Sequence, residues 1–233
     1  MNVFTESQVD RDSELSAYSK KSMAEVQKIP VGDKRSIQIY ANEDIARDSY
    51  SNLYKSYPFM ESSTPYLRTL AAYTVTRRAK DVLDLEKYLG SFSKKKVLDY
   101  GCGVGSHGIY CLQRGATVDF LDVNGPLFDY AKWRIKNRKL KGCSFLEETA
   151  KLEKKYDAVI CMDVLEHVAN PVKAFSAITA SLRSGGLLLL EVSTMVKPTS
   201  GHFSKSIALW KKSGVKLLSE KFVRVHGKVY KRK

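Results

Sequence analysis

From Lys96 to Val192, short runs rich in leucine or β-branched residues alternate with segments whose apolar positions recur at helical spacing. The runs of strand length are Lys96–Tyr100, Thr117–Asp122, Cys143–Glu147, Tyr156–Met162 and Leu187–Val192, with weaker ones at Val215–Glu220 and Val223–Tyr230. This alternation predicts an α/β fold, a parallel sheet with helices on both faces. Helix signals fill the gaps. Ser106–Arg114 ends at Gly115, a residue type suited to a left-handed terminator. Gly125-Pro126 can open the next helix, because proline at the first helical position gives up a donor that would have no partner anyway. Asn170-Pro171 repeats the device ahead of Val172–Leu182, and Ser184-Gly185-Gly186 makes a turn into the fifth strand. Upstream, Leu67, Leu70, Ala71, Val75, Val82, Leu85 and Leu89 predict one helix over Tyr66–Leu89, stopped at Gly90. Residues 1 to about 60 are weakly periodic and carry Tyr40, Tyr50, Tyr54 and Tyr57, which predicts a partly helical appendage with frayed first residues.

Composition narrows this picture. A chain of 233 residues suffices for one α/β domain and a modest extension, which divides it into an appendage over 1–65 and a domain over 66–233. No run approaches the roughly 18 apolar residues of a membrane span, and the polar, acidic first residues do not read as a secretory signal. A cytoplasmic location is expected. Cys102, Cys111, Cys143 and Cys161 form no C-x-x-C pair, so reduced thiols are expected and structural zinc is disfavoured. The net charge is +14, yet residues 1–50 hold 7 Lys+Arg against 9 Asp+Glu, so the basic excess lies further on. It gathers at Lys132, Arg134, Lys136, Arg138, Lys139 and Lys141 and again from Lys205 to Lys233. Such clusters can attract nucleic acid, anionic membrane or an acidic substrate, or can simply be a solvated lysine-rich surface with few aromatics between the charges.

The chemistry concentrates in V-L-D-Y-G-C-G-V-G, Val97 to Gly105, which follows a strand and opens a helix. Alternating glycines let the backbone approach a ligand, and a helix start offers unpaired N–H groups. Dinucleotide sites share that logic, so the flanking residues decide. Asp99, two residues before the first glycine, would repel a pyrophosphate but suits a ligand with an ammonium group. Asp122 closes the next strand, where an acid can accept hydrogen bonds from ribose hydroxyls. The loop also lacks G-x-G-x-x-G spacing, since Ser106 follows Gly105 and the next glycine is Gly108.

These residues, with F-L-E-E-T at Phe145–Thr149 and Y-D-A-V-I-C-M-D-V-L-E-H-V-A-N-P at Tyr156–Pro171, resemble the class I S-adenosylmethionine-dependent methyltransferases, and within them the ubiquinone-biosynthesis O-methyltransferases. The resemblance spans about Val97–Val192. It implies a Rossmann-like, seven-stranded, mostly parallel sheet whose last strand is antiparallel, with S-adenosylmethionine as cofactor. It further implies that Asp99, Gly101, Cys102, Gly103 and Gly105 hold the cofactor's amino-acid end and that Asp122 binds its ribose. Val123 would pack on the adenine, Glu148 and Thr149 would lie near its exocyclic amine, and Met162 would sit beside the cofactor. Asn124-Gly125-Pro126 departs from the usual pattern and leaves Asn124 without an assigned contact.

A methyl group on a sulfonium is already activated, so alignment and exclusion of water do most of the work. A base is needed when the acceptor is a weakly acidic hydroxyl. His167 is the first candidate and His202 the second, although the D-V-L-E-H segment can equally be a structural link. Asp163, Glu166, His167 and His202 could also converge on a divalent metal, a pattern similar to that of metal-using small-RNA 2′-O-methyltransferases; this is the less favoured reading. His107 can touch the cofactor or face solvent, and Trp133 and Trp210 read as packing residues. The leading expectation is methyl transfer to a small-molecule hydroxyl. The alternatives are RNA or protein methylation through the basic surface, or a non-catalytic binding subunit. The absence of N/D-P-P-Y/F after the fourth strand disfavours planar amines as acceptors.

Overall fold

The computed structural model describes residues 2–31, 63–147, 150–153, 155–194 and 202–233. Seven strands, β1 (Lys96–Tyr100), β2 (Thr117–Asp122), β3 (Cys143–Glu147), β4 (Tyr156–Met162), β5 (Leu182–Glu191), β6 (Phe222–His226) and β7 (Val229–Arg232), form one sheet. Their order is β3-β2-β1-β4-β5-β7-β6. Strands β1 to β5 pair in parallel, while β7 runs antiparallel to both β5 and β6.

Successive residues of the central strands point to opposite faces, and both faces are buried. On one face Val97, Val118, Phe120, Ala158, Ile160, Leu187 and Leu189 pack with helices α4 (Ala79–Leu89), α5 (Ser106–Gln113) and α6 (Pro126–Asn137). On the other, Leu98, Leu121, Val159, Cys161, Leu188 and Leu190 pack with α7 (Pro171–Ser181), Trp210 and Phe222. Pro126 and Pro171 stand at the first turns of α6 and α7, and Asn170 Oδ1 caps α7 by accepting from Lys173 N. Gly115 has φ +86° just beyond α5. All four cysteines are free thiols, and Trp210 is buried in the second face.

The remaining helices are α1 (Gln8–Ser19), α2 (Met23–Gln27), α3 (Ser63–Arg77), α8 (Ser204–Leu209) and α9 (Val215–Lys221), with a wider helical turn at Trp210–Gly214 joining the last two.

Several expectations need correction. Val215–Glu220 is helical, because helical hydrogen bonding carries through Trp210 and places Leu217 and Leu218 together against the second face. Val223–Tyr230 is a hairpin, turning at Gly227 with φ +49°. The Ser184–Gly186 turn is an irregularity inside β5, with a register shift opposite Tyr156 and Ala158. The helix expected over Tyr66–Leu89 breaks at Arg78 into α3 and α4.

The first residues are docked rather than frayed. Val3 is fully buried, its N–H donates to Gln113 Oε1, and Phe4 stacks on Tyr110 with ring centroids 4.7 Å apart. Helix α1 is held by charges: Arg68 on α3 grips Asp12, while Arg134 on α6 and Arg138 at its C-terminal cap grip Glu14. The first basic cluster is therefore partly internal. Arg134 is 0% exposed, and Arg138 also pairs with Glu6. Tyr40, Tyr50, Tyr54 and Tyr57 lie outside the described residues.

Candidate functional site

Strand β1 delivers Asp99 to the sheet's carboxyl edge, and the chain then turns through three glycines with φ of +70°, +54° and +77° at Gly101, Gly103 and Gly105. Two consecutive amides, Gly101 N and Cys102 N, donate to Leu121 O at 2.8 and 3.1 Å, which ties the turn to β2. Gly101 must be glycine for a second reason: a Cβ there would lie 2.4 Å from Val164 Cγ2. Asp122, at the end of β2, accepts from Gly103 N at 2.6 Å and from Val123 N at 2.8 Å, so it braces the same turn.

Asp99 is 1% exposed and accepts from Gly108 N at 2.8 Å. Burial, reinforced by the nearby Asp122 charge, pushes its carboxyl up to about 7 despite that bond. A buried acid this reluctant to ionise fits a cationic ligand group, whose charge would favour the carboxylate. Cys102, in the middle of the turn, is buried, and burial together with Asp122 and Asp99 keeps its thiol protonated. Val123 is half-buried, and Met162 lines the end of β4 at 8% exposure. Glu148 and Thr149 lie outside the described residues.

His107 follows the turn but does not face solvent. It is 7% exposed, its ring meets Phe4 edge-on at 6.4 Å, and burial lowers its pKa to about 4. It is a neutral packing residue.

The second group forms beyond β4. Asp163 takes a left-handed φ of +55°, Val164 folds over Gly101, and Leu165–His167 makes a single tight helical turn. The start of α8 is stitched to this turn: Phe203 N donates to Glu166 O at 2.9 Å and Ser206 Oγ to Val168 O at 2.6 Å. That connection carries His202 to His167, with ring centroids 4.8 Å apart and edge-on geometry. Glu166, fully buried, accepts from Ser193 N through Oε1 at 2.8 Å, while Oε2 is buried with no partner. Burial pushes its carboxyl up to about 7. One ligand atom from each of Glu166, His167 and His202 lies within 4.8 Å of the others, a set able to hold a divalent ion. Asp163 does not complete it, because its carboxylate pairs with Arg78.

Sequence reasoning missed the residues that brace these turns. Arg134 donates to Val104 O at 2.7 Å and Ser106 Oγ at 3.0 Å, and Thr74 donates to the same Ser106 Oγ at 3.0 Å. Arg78 and Tyr73 brace the β4 end. None carries a local motif; only long-range pairing identifies them.

The sheet order and the glycine turn set between two acids define a Rossmann-like methyltransferase fold. Residues 71–220 match the family model described as a methyltransferase domain. The chain belongs to that family. Among curated relatives, the ubiquinone biosynthesis O-methyltransferase of Coxiella burnetii is 33% identical over 97 residues, 40% of this chain and 42% of that protein. Its Klebsiella pneumoniae counterpart is 34% identical over 102 residues, 42% of each chain. The chain thus spans under half the length of these relatives. Among solved structures, an S-adenosyl-L-methionine-dependent methyltransferase, described as putative, from Methanococcus maripaludis superposes with TM-score 0.50 at 14% identity, covering 69% of this chain and 87% of that one. A methyltransferase from Bacillus halodurans, likewise described as putative, gives TM-score 0.50 at 18% identity, with 64% and 72% covered. These structural likenesses speak to the fold. Among the described residues no helix is long and apolar enough to cross a membrane.

Proposed function

We propose that this chain transfers the methyl group of S-adenosylmethionine to a hydroxyl oxygen of a small-molecule acceptor, with His167 as the base and His202 supporting it. The observation that carries this reading is the meeting of His167, His202 and the buried Glu166 one turn beyond β4, beside the glycine turn that Val164 covers. The curated relatives named as O-methyltransferases support oxygen as the acceptor atom.

In this reading the cofactor supplies an activated methyl group on a sulfonium. Asp99 holds the ammonium end, and the backbone of Gly101, Cys102, Gly103 and Gly105 lies along the amino-acid portion. Asp122 takes the ribose hydroxyls, Val123 the adenine face, Glu148 and Thr149 the adenine edge, and Met162 lies alongside. His167 withdraws the acceptor hydroxyl's proton, and His202 orients the ring. The described part of the appendage, residues 2–31, packs on α3, α5 and α6.

The test is radiolabelled methyl transfer to a catechol probe such as 3,4-dihydroxybenzoate. H167A should lower kcat by roughly 10²–10⁴-fold while leaving S-adenosylhomocysteine affinity within about twofold. An H167A enzyme with full kcat overturns the assignment.

A second reading is favoured by the unpartnered, buried Glu166 Oε2. Glu166, His167 and His202 would hold a divalent cation, which would supply polarisation of the acceptor hydroxyl. Activity unchanged by exhaustive chelation refutes it.

A further inference from the structure

The break between α3 and α4 falls at Arg78, where neither glycine nor proline interrupts the helical pattern. Arg78 has φ −109° and ψ −11°, outside the regular helix, and its own side chain does not cap α4. The departure instead lets the side chain drop to the carboxyl edge of the sheet, where it is 11% exposed. There its guanidinium donates to Asp163 Oδ2 at 2.6 Å, to Tyr73 Oη at 2.6 Å and, in close contact, to Glu191 Oε2. Asp81 stands 3.8 Å away, and Lys228 bridges Asp81 and Glu191 at 2.8 and 2.9 Å. The ends of β4 and β5 are thereby joined to the helix pair through one planar cation.

What Arg78 grips is a pivot. Asp163 is a non-glycine residue in the left-handed region, a conformation that persists only where surrounding contacts over-determine it. Two contacts do so: the Arg78 ion pair, and Asp163 N donating to Glu191 O at 3.2 Å. The next residue, Val164, closes on Gly101 so tightly that no side chain fits there. His167 N then bonds back to Val164 O at 2.9 Å. The orientation of Val164 over the glycine turn, and of the Glu166–His167 turn behind it, both follow from the torsions at Asp163.

We infer that Arg78 is a positioning residue for the cofactor site: by holding Asp163 and Glu191 together it fixes the β4 turn, keeping Val164 against Gly101. The inference rests on the cofactor half of the proposed function, the placement of the amino-acid end at Gly101–Gly105, and not on the acceptor or the base. Arginine is specified rather than lysine, because a planar fork can serve Asp163, Glu191 and Tyr73 at once while an ammonium is a point charge.

The test is calorimetric titration of S-adenosylhomocysteine into the full chain, as wild type, R78K, R78M, D163N and R78M/D163N. R78M should weaken binding about tenfold, within the range for residues coupled through one network, with stoichiometry still near one. D163N should lose less, since asparagine adopts the left-handed conformation and keeps an acceptor for Arg78. The double variant should bind no worse than R78M, and R78K should fall between wild type and R78M. A purely structural role gives a different signature: lower melting temperature and lower stoichiometry, with the surviving molecules binding at wild-type Kd. That result, or losses in R78M and D163N that simply multiply, overturns the inference. If R78M does not fold, R78K and D163N decide, and wild-type affinity in both overturns it. Failure of the wild type itself to bind S-adenosylhomocysteine instead sinks the cofactor placement on which the inference stands.

Discussion

Arg134→Met places a shorter, uncharged side chain where a fully buried guanidinium now joins three parts of the molecule. Arg134 donates through Nε to Glu14 Oε2 at 2.8 Å and through Nη1 to Val104 O and Ser106 Oγ. Removing one member of a buried ion pair costs about 3–5 kcal/mol, because the other charge is left desolvated. Here Arg138 remains on Glu14, with Nε 2.6 Å from Oε1, and also on Glu6, so the lower end applies, about 3 kcal/mol. For a chain of this size about 1 kcal/mol corresponds to about 2–4 °C, so the melting temperature should fall by roughly 6–12 °C. The loss should also depend on pH. Burial pushes the Glu14 carboxyl up, but Arg138 and Arg134 more than offset it and hold it below its usual value. A depressed carboxylate contributes stability that is present above the ordinary glutamate range and disappears as pH falls through the lowered value. The difference between wild type and R134M should therefore be widest near neutrality and narrow on acidification. Differential scanning calorimetry of the unliganded chain at pH 7 and at progressively lower pH reads both effects. A melting temperature within 2 °C of wild type at pH 7 would refute the claim that this cation anchors α1 to the glycine turn.

Two further substitutions probe the turn itself. D99N should stabilise the unliganded protein at pH 8, because the Asp99 carboxyl, raised to about 7, makes wild-type stability decline as pH rises from about 4 to about 7. The same variant should bind S-adenosylhomocysteine more weakly at pH 8, so paired melting and calorimetric curves check both signs, and a lower melting temperature for D99N at pH 8 contradicts the argument. G101A forces a Cβ to 2.4 Å from Val164 Cγ2 at a φ of +70°, which should abolish measurable S-adenosylhomocysteine binding. Adding V164A relieves the clash but not the torsion and should restore binding only in part; full recovery would show that space, not backbone conformation, dictates the glycine.

Strands β1 to β4 could be read from the sequence with the same bounds the structure has, because β1, β2 and β4 are largely buried apolar runs and all four stop where the turns begin. The glycine turn and its two acids were legible for a related reason: the ligand chemistry constrains residue type at fixed spacing. What escaped was decided by contacts distant in sequence. Helix α1 turns Arg11 and Asp12 inward beside Leu15, so its buried face is largely charged and hydropathy gives no sign of docking. The break at Arg78 is enforced by carboxylates 85 and 113 residues further along. At Val215–Glu220 the apolar residues fit either period, and the continuing helix from Trp210 decides. His167 and His202 were named from the sequence, but their meeting depends on the α8 connection, which no local pattern announces.

The charge-held docking of α1 carries a consequence for the order of events during synthesis. Glu14 emerges from the ribosome 120 residues before its partner Arg134. At about 5–20 residues per second Glu14 waits roughly 6–24 s for that partner. Because α1 turns Arg11 and Asp12 inward beside Leu15, the waiting helix exposes less apolar surface than one with an all-apolar buried face.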